Sequence, residues 1–203
     1  MLFKEPDLLY LVNTEGTNEE DGMMAAYYDT FNISGRQVVL RNPEPEDAQA
    51  IIDLMNVLDT ETVFLSREPG EFEMTLEKEQ AFLAEQKASA DTLYLVCLLD
   101  GKVVGTSRAS SAGRRRFIHK ATIGIALIQE ACGLGIGRRM MNVLIAWGKE
   151  RGLSHMDLQV DSGNLPALKL YMSLGFLVDG RKYRERKLAD GTYRDDYIMH
   201  LPL

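Results

Sequence analysis

Apolar residues recur along the chain in two rhythms, and each rhythm predicts an element. Between Glu46 and Leu58 they fall at Ala48, Ile51, Ile52 and Met55, the spacing of a helix with one buried face. The same spacing predicts helices over Thr75–Lys87 (Leu76, Phe82, Leu83), Arg138–Arg151 (Met140, Val143, Leu144, Trp147) and Asn164–Leu174 (Ala167, Leu170, Tyr171, Leu174). Gly152 and Gly175 follow the last two, where a helix C-terminus takes a left-handed residue. Shorter apolar, β-branched stretches predict strands at Gln37–Arg41, Thr92–Leu99, Lys102–Ser110, His155–Val160, Leu177–Lys187 and Thr192–Leu201. A long central strand is expected over Phe117–Gln129, with Ile123, Ile125 and Leu127 on one side. Asp100-Gly101 and Ala189-Asp190-Gly191 supply hairpin turns, while Ser66–Glu73 and Ser111–Arg116 read as loops. There are no repeats and no low-complexity linkers. The pattern predicts one mixed α/β (α+β) domain with a largely antiparallel sheet flanked by helices.

Composition narrows the class. A chain of 203 residues with 45% apolar and 26% charged residues is of single-domain size and suits a soluble globular protein. No apolar run approaches the ~18–20 residues that span a bilayer, so no membrane partner is expected. Met1–Tyr10 carries acids and no cleavage-site pattern, which predicts no secretory leader and a cytoplasmic protein. Cys97 and Cys132 cannot form a disulfide framework, and no metal site is expected. A net charge of -7 argues against general nucleic-acid binding.

That charge is uneven. Residues 1–35 hold seven acids and one base, Lys4, which leaves residues 36–203 nearly neutral. The expected organisation is therefore an acidic N-terminal extension, 1–35, before a domain at 36–203. The extension also holds apolar patches, Leu8–Val12 and Met23–Tyr28, so it is either a solvated arm that docks or an element of a cleft or a homodimer. If it lined a cleft, it would favour a cationic acceptor such as a polyamine.

The chemistry concentrates in Cys132-Gly133-Leu134-Gly135-Ile136-Gly137-Arg138-Arg139, between a strand and an amphipathic helix. Three glycines spaced two apart leave backbone N–H groups unshielded, and the first turn of the helix adds more. With Arg138 and Arg139 beside them, a phosphate or pyrophosphate is the natural guest. The pattern is not a P-loop, because Arg138-Arg139 stands where Lys-Ser/Thr is required. It is not the dinucleotide fingerprint either, whose third glycine falls on Arg138 or Met140, although Asp157 follows at about the distance of its ribose acid. A turn whose glycines serve only packing is the remaining alternative. After one strand comes Asn164-Leu-Pro-Ala167-Leu-Lys-Leu-Tyr171-Met-Ser-Leu-Gly175-Phe176, where Asn164 can cap the helix and Ala167 permits close approach.

This order of glycine turn, helix, strand and Asn-x-x-Ala-x-x-x-Tyr-x-x-x-Gly-Phe resembles the GNAT superfamily of acetyl-CoA-dependent N-acyltransferases. The resemblance covers about residues 37–203, and its specific part is 122–176. The closing stretch, Gly180–Arg186 with Asp190–Tyr197, is similar to the ribosomal-protein, spermidine and small-amine acetyltransferase branch. One position departs from the family pattern: Cys132 stands where Arg or Gln is usual, and it reads as a small semi-buried residue.

The resemblance implies a single GNAT-like domain whose strand Ile125–Gln129 splays from His155–Val160. Pantetheine would pair with the backbone of Leu127, Ile128 and Gln129. Gly133, Leu134, Gly135, Ile136, Gly137 and Arg138 would hold the pyrophosphate, Asn164 and Ala167 would meet the pantetheine region, and Tyr171 would stand near the thioester sulfur. An acetyl group would then pass from acetyl-CoA, without a metal, to a small-molecule amine or a protein N-terminal amine by direct attack, with Tyr171 as general acid. The acceptor amine, with a pKa near ~10, must lose a proton first. Glu130 is the first candidate base, then Glu73 and Asp161, with Glu71 nearby. Tyr171 is equally placed to be a core-facing residue. His119, His155 and His200 read as ordinary strand-edge residues, and Arg114-Arg115-Arg116 as a solvated loop or a 3′-phosphate contact. A non-catalytic acyl-CoA-binding regulator on the same fold, and a nucleotide-binding protein unrelated to CoA, are the competing readings.

Overall fold

Alternating apolar strands and striped helices assemble as the pattern predicts, with revised edges. The computed structural model describes residues 27–111 and 113–203. In chain order these form β1 (Tyr28–Ile33), β2 (Arg36–Arg41), α1 (Ala48–Glu61), α2 (Leu76–Ala88), β3 (Thr92–Leu99), β4 (Lys102–Ser111), β5 (Lys120–Leu127), α3 (Ile136–Glu150), β6 (His155–Asp161), α4 (Leu165–Ser173), β7 (Leu177–Lys187) and β8 (Tyr193–Pro202). The strands make one sheet in the order β1-β2-β3-β4-β5-β6-β8-β7. Every pairing is antiparallel except β5 with β6.

β3 is buried on both faces and sets the layering. Leu93 and Leu95 join the core with Met141, Leu144 and Trp147 of α3, while Tyr94 and Val96 pack with Ala48 and Ile51 of α1 and Leu83 of α2. Period-2 alternation thus sends successive residues to opposite helical layers. Burial of this kind contributes about 1.5–3 kcal/mol per large apolar side chain.

Three boundaries differ from expectation. The sheet starts inside the segment assigned to the acidic extension, because Tyr28–Ile33 pairs with β2 through a Ser34-Gly35 turn, both residues at positive φ (52° and 79°) as a two-residue hairpin turn requires. The rest of the extension, with its Leu8–Val12 patch, lies outside the described residues. β5 is shorter than Phe117–Gln129. Phe117 and Lys120 N–H groups donate into turns, to Arg114 O and Phe117 O, and Gln129 opens a single 3-10 turn. α3 begins at Ile136, ahead of Arg138, because Gly135 takes the left-handed capping conformation.

The feature that positions the site is the short contact between β5 and β6. They pair only at Lys120↔His155, Ala121↔Met156 and Thr122↔Asp157. β5 continues along β4 to Leu127↔Gly105, and β6 continues along β8 to Asp161↔Asp196. The paired end carries the Lys120–Asp157 ion pair at 2.5 Å. At the open end Arg186 of β7 reaches Asp161 at 2.6 Å and Asp196 at 2.8 Å. It also donates to the Val63 and Leu65 carbonyls of the loop between α1 and α2. The Asp161 side chain is fully buried, and Arg186 is its closest neutralising partner, with Arg194 at 3.9 Å.

Arg186→Ala is expected to lower stability by about 3–5 kcal/mol, since it strands two buried carboxylates. Urea unfolding monitored by Trp147 fluorescence measures this, and an unchanged midpoint would show that the cluster contributes nothing.

Candidate active site

Glycine chemistry shapes the turn after β5. Gly133 and Gly135 lie at φ 76° and 83°, a region that costs other residues roughly 1–2 kcal/mol. No atom stands within 4 Å of where a Cβ would sit on either one. Packing therefore does not require these glycines; the backbone path does, and the space over the turn is open. Gly135 has no side chain to cap α3, and the first turn carries no acid. The leading N–H groups of the helix, at Ile136, Gly137 and Arg138, are left to the outside at the positive end of the helix dipole. Ile136, Met140 and Leu144 are fully buried and fix the helix beneath them. Such a main-chain arrangement suits an anion.

The two arginines diverge. Arg138 donates to Ser173 Oγ at 2.7 Å and ties α3 to α4 while keeping its charge. Arg139 pairs with Asp29 of β1 at 2.7 Å and stacks over Phe31 at 4.5 Å. It is therefore neutralised by the strand hidden in the extension.

The open edge of β5 can be read from its hydrogen bonds. Ile128 N–H donates to Val104 O on the β4 side. By strand alternation Leu127, Ile125 and Ile123 turn their main-chain groups the other way, toward the gap left by β6. Gln129 N–H donates to the Glu61 carboxylate at 2.7 Å, and its side-chain amide to Glu61 O at 3.0 Å. Of Leu127, Ile128 and Gln129, only Leu127 thus presents free-facing backbone. Ile125 is the residue that spacing alone missed, because alternation could not be phased without the partner strand.

α4 borders the same gap. Asn164 accepts from Ala167 N–H at 3.2 Å as its cap, and Ala167 is half-buried. Tyr171 is buried against Phe176 with ring centroids 5.7 Å apart, and among the described residues its hydroxyl has no hydrogen-bond partner. Burial pushes the phenol up to about 12, so it stays protonated at neutral pH. It is a core residue that keeps its proton at neutral pH.

The expected bases fare differently. Glu130 faces Arg36 at 2.8 Å and Lys102 at 3.9 Å, on the β2–β4 side of β5. Asp161 is sealed beneath Arg186. Glu73 is exposed in the loop before α2, and Glu71 accepts from Glu68 N–H. Partial desolvation, then the charge of Glu61, pushes the Cys132 thiol up and keeps it from being a thiolate. His119, His155 and His200 neighbour one another at the paired end of β5 and β6, with His200 beside Asp179. Arg114–Arg116 precede β5 and the glycine turn follows it, so roughly 25 Å of strand at ~3.3 Å per residue separates them, which removes the 3′-phosphate contact.

Two depressions meet at Leu65. One, about 670 Å³, lies over β4 and β5 and is bordered by Phe82, Tyr94, Arg108, Thr122 and Ala126. The other, about 680 Å³, lies between the loop 59–71 and Arg186–Leu188. The first runs along β5 from Lys120 to Ala126 and so borders its unpaired length. No acid lines it among the described residues.

Comparison with known proteins gives a consistent result. A family model described as acetyltransferase (GNAT) family matches residues 55–176. The L-amino acid N-acetyltransferase AaaT of Escherichia coli (strain K12) is 32% identical over 111 residues, 52% of this chain. The match takes in 65% of that relative, so the chain spans less than two thirds of its length. Among solved structures, an acetyltransferase of the GNAT family from Streptococcus pneumoniae superposes with TM-score 0.78 at 26% identity, over 82% of this chain and 99% of that one. A Salmonella typhimurium protein, yncA, solved with its cofactor acetyl-CoA, gives TM-score 0.71 at 20% identity over 82% and 94%.

Tyr171 should reveal itself by titration. The phenolate absorbance lost in Tyr171→Phe is expected to develop only near pH 12 in the folded protein. Because the unfolded phenol ionises near ~10, this residue's contribution to stability is complete below about pH 10 and is lost as pH climbs toward 12. A difference spectrum already complete at pH 10 would contradict its burial.

Proposed function

The chain belongs to the acetyltransferase (GNAT) family, and we propose that it transfers the acetyl group of acetyl-CoA to a primary amine by direct attack. One observation carries this reading: the unpaired edge of β5 leads directly into an uncapped helix N-terminus behind two left-handed glycines. A ligand with a diphosphate at one end and an amide-bearing arm at the other fits that layout. Backbone N–H groups from Gly133 to Arg138 hold the diphosphate, and Ile125 and Leu127 pair with the arm as a neighbouring strand would. Asn164 and Ala167 border the arm from α4.

When bound, acetyl-CoA supplies an activated acyl group on sulfur. The chain supplies the rest. A β5 N–H facing the gap donates to the acyl oxygen as charge develops there. The groove over β4 and β5 orients the amine. Tyr171 donates its proton to the departing sulfur. With Glu130 and Asp161 held by cations, the acceptor's proton leaves to water in the open groove. The competing reading, a regulator that binds acyl-CoA without turnover, predicts the same diphosphate cradle and no role for Tyr171.

Tyr171→Phe is expected to cut kcat about ten-fold or more, with CoA-induced thermal stabilisation unchanged. Turnover equal to wild type would remove Tyr171 from the acid role, and no thiol release with any amine would favour the regulator. Gly135→Asp places a side chain and a negative charge at the diphosphate position and should abolish CoA-induced stabilisation. Retained affinity would refute the cradle.

A further inference from the structure

Register fixes the floor of the groove. Thr106 stands opposite Ala126, Arg108 opposite Gly124, and Ser110 opposite Thr122. Directly opposed residues share a face, with Cβ atoms about 4.5–5.5 Å apart. The floor is thus small or hydroxylated except for one long cation. Opposite that cation the strand is bare, because nothing lies within 4 Å of where a Cβ on Gly124 would sit. Gly124 lies between Ile123 and Ile125, whose main chain faces the gap. The space beside Arg108 therefore adjoins the edge where acyl transfer is placed.

Arg108 also differs from the arginines that carry ion pairs. Arg36, Arg41, Arg67, Arg139 and Arg186 each contact a carboxylate at 2.6–2.8 Å. Arg108 is exposed and has no acid within ion-pair distance among the described residues; its guanidinium lies 5.8 Å from the Phe82 ring. The other cation of the groove, Lys120, is neutralised by Asp157. Glu79 of α2, which acts on Tyr94 in this wall, is buried and does not line the groove. The groove over β4 and β5 consequently carries one uncompensated positive charge on a planar, two-pronged donor.

Resting on the acetyltransferase reading above, we propose that Arg108 anchors a carboxylate of the acceptor, so that the acceptor is a small amine bearing a carboxylate, of the α-amino acid class. A guanidinium matches a carboxylate through two parallel hydrogen bonds. The same charge repels a polyamine, opposite to what an acidic cleft lining would favour. An amidated or peptide-linked amine offers Arg108 no anion, which selects against a protein N-terminus. The open slot over Gly124 accommodates the body of such a molecule, with its amino group toward the β5 edge.

The test is thiol release from acetyl-CoA with four acceptor sets: free L-amino acids, their C-terminal amides, the corresponding decarboxylated amines, and spermidine with a short unblocked peptide. Free amino acids should exceed their amides in kcat/KM by at least ten-fold. Arg108→Gln should raise KM for the free acids ten-fold or more, leave kcat within a few-fold, and erase the preference over amides. Arg108→Lys should fall between, because it keeps the charge and loses the fork. Equal use of acids and amides, or an Arg108→Gln effect shared by both, overturns the carboxylate anchor. Turnover confined to spermidine or peptide overturns it while leaving the acetyltransferase standing. No turnover with any set brings down both.

Discussion

Backbone pairing between β5 and β6 stops at Thr122 and Asp157 although both strands run on. Every main-chain group left on the two inner edges must find another partner or remain in water. The divergence is held from both ends. Lys120 and Asp157 close the paired end, while Arg186 ties the far end of β6 to β8 and to the carbonyls of the α1–α2 loop. Because each strand keeps a full partner on its outer side, the sheet tolerates the gap. What enters it gains strand-like hydrogen bonds without displacing any that already exist.

The anion end of the site shows the same economy. Its positive potential comes from helix geometry and from Arg138, which a hydroxyl engages without neutralising, whereas Arg139 is neutralised by Asp29. β1 is thereby part of the wall of the site. Asp29 and Phe31 hold Arg139, and Phe31 and Ile33 add apolar packing to the core under β2. The proposed diphosphate cradle therefore depends on the turn holding its left-handed path as well as on the charge of Arg138.

How much of this could be read in the chain follows from how local each signal is. The four helices and the glycine turn were legible because residues a few positions apart carry them. β1 was not, because its inner face begins with an acid and only the Ser34-Gly35 turn marks it. The end of β5 was not, because its apolar rhythm persists through Ile128 while the change is in hydrogen bonding. The ion pair of Glu130 was hidden for a related reason: Arg36, which holds it, lies 94 residues away in sequence. The solitude of Arg108 is likewise a property of register, invisible until β4 is set against β5.

Tyr171 poses a last question of proton energetics. A phenol at about 12 is a weak acid toward an ordinary thiol near ~8.5, and at ~1.36 kcal/mol per unit the transfer would be uphill by about 5 kcal/mol. The environment changes both partners. The thiol of Cys97, buried in the same sheet, is itself pushed up to about 12 by desolvation. Under the proposed acid role, a sulfur leaving beside Tyr171 gains basicity to the extent that the gap excludes water, because an unsolvated thiolate is costly. Desolvation of both groups then narrows the difference that their free values set, and the proposed transfer depends on how little water reaches the α4 side of the gap.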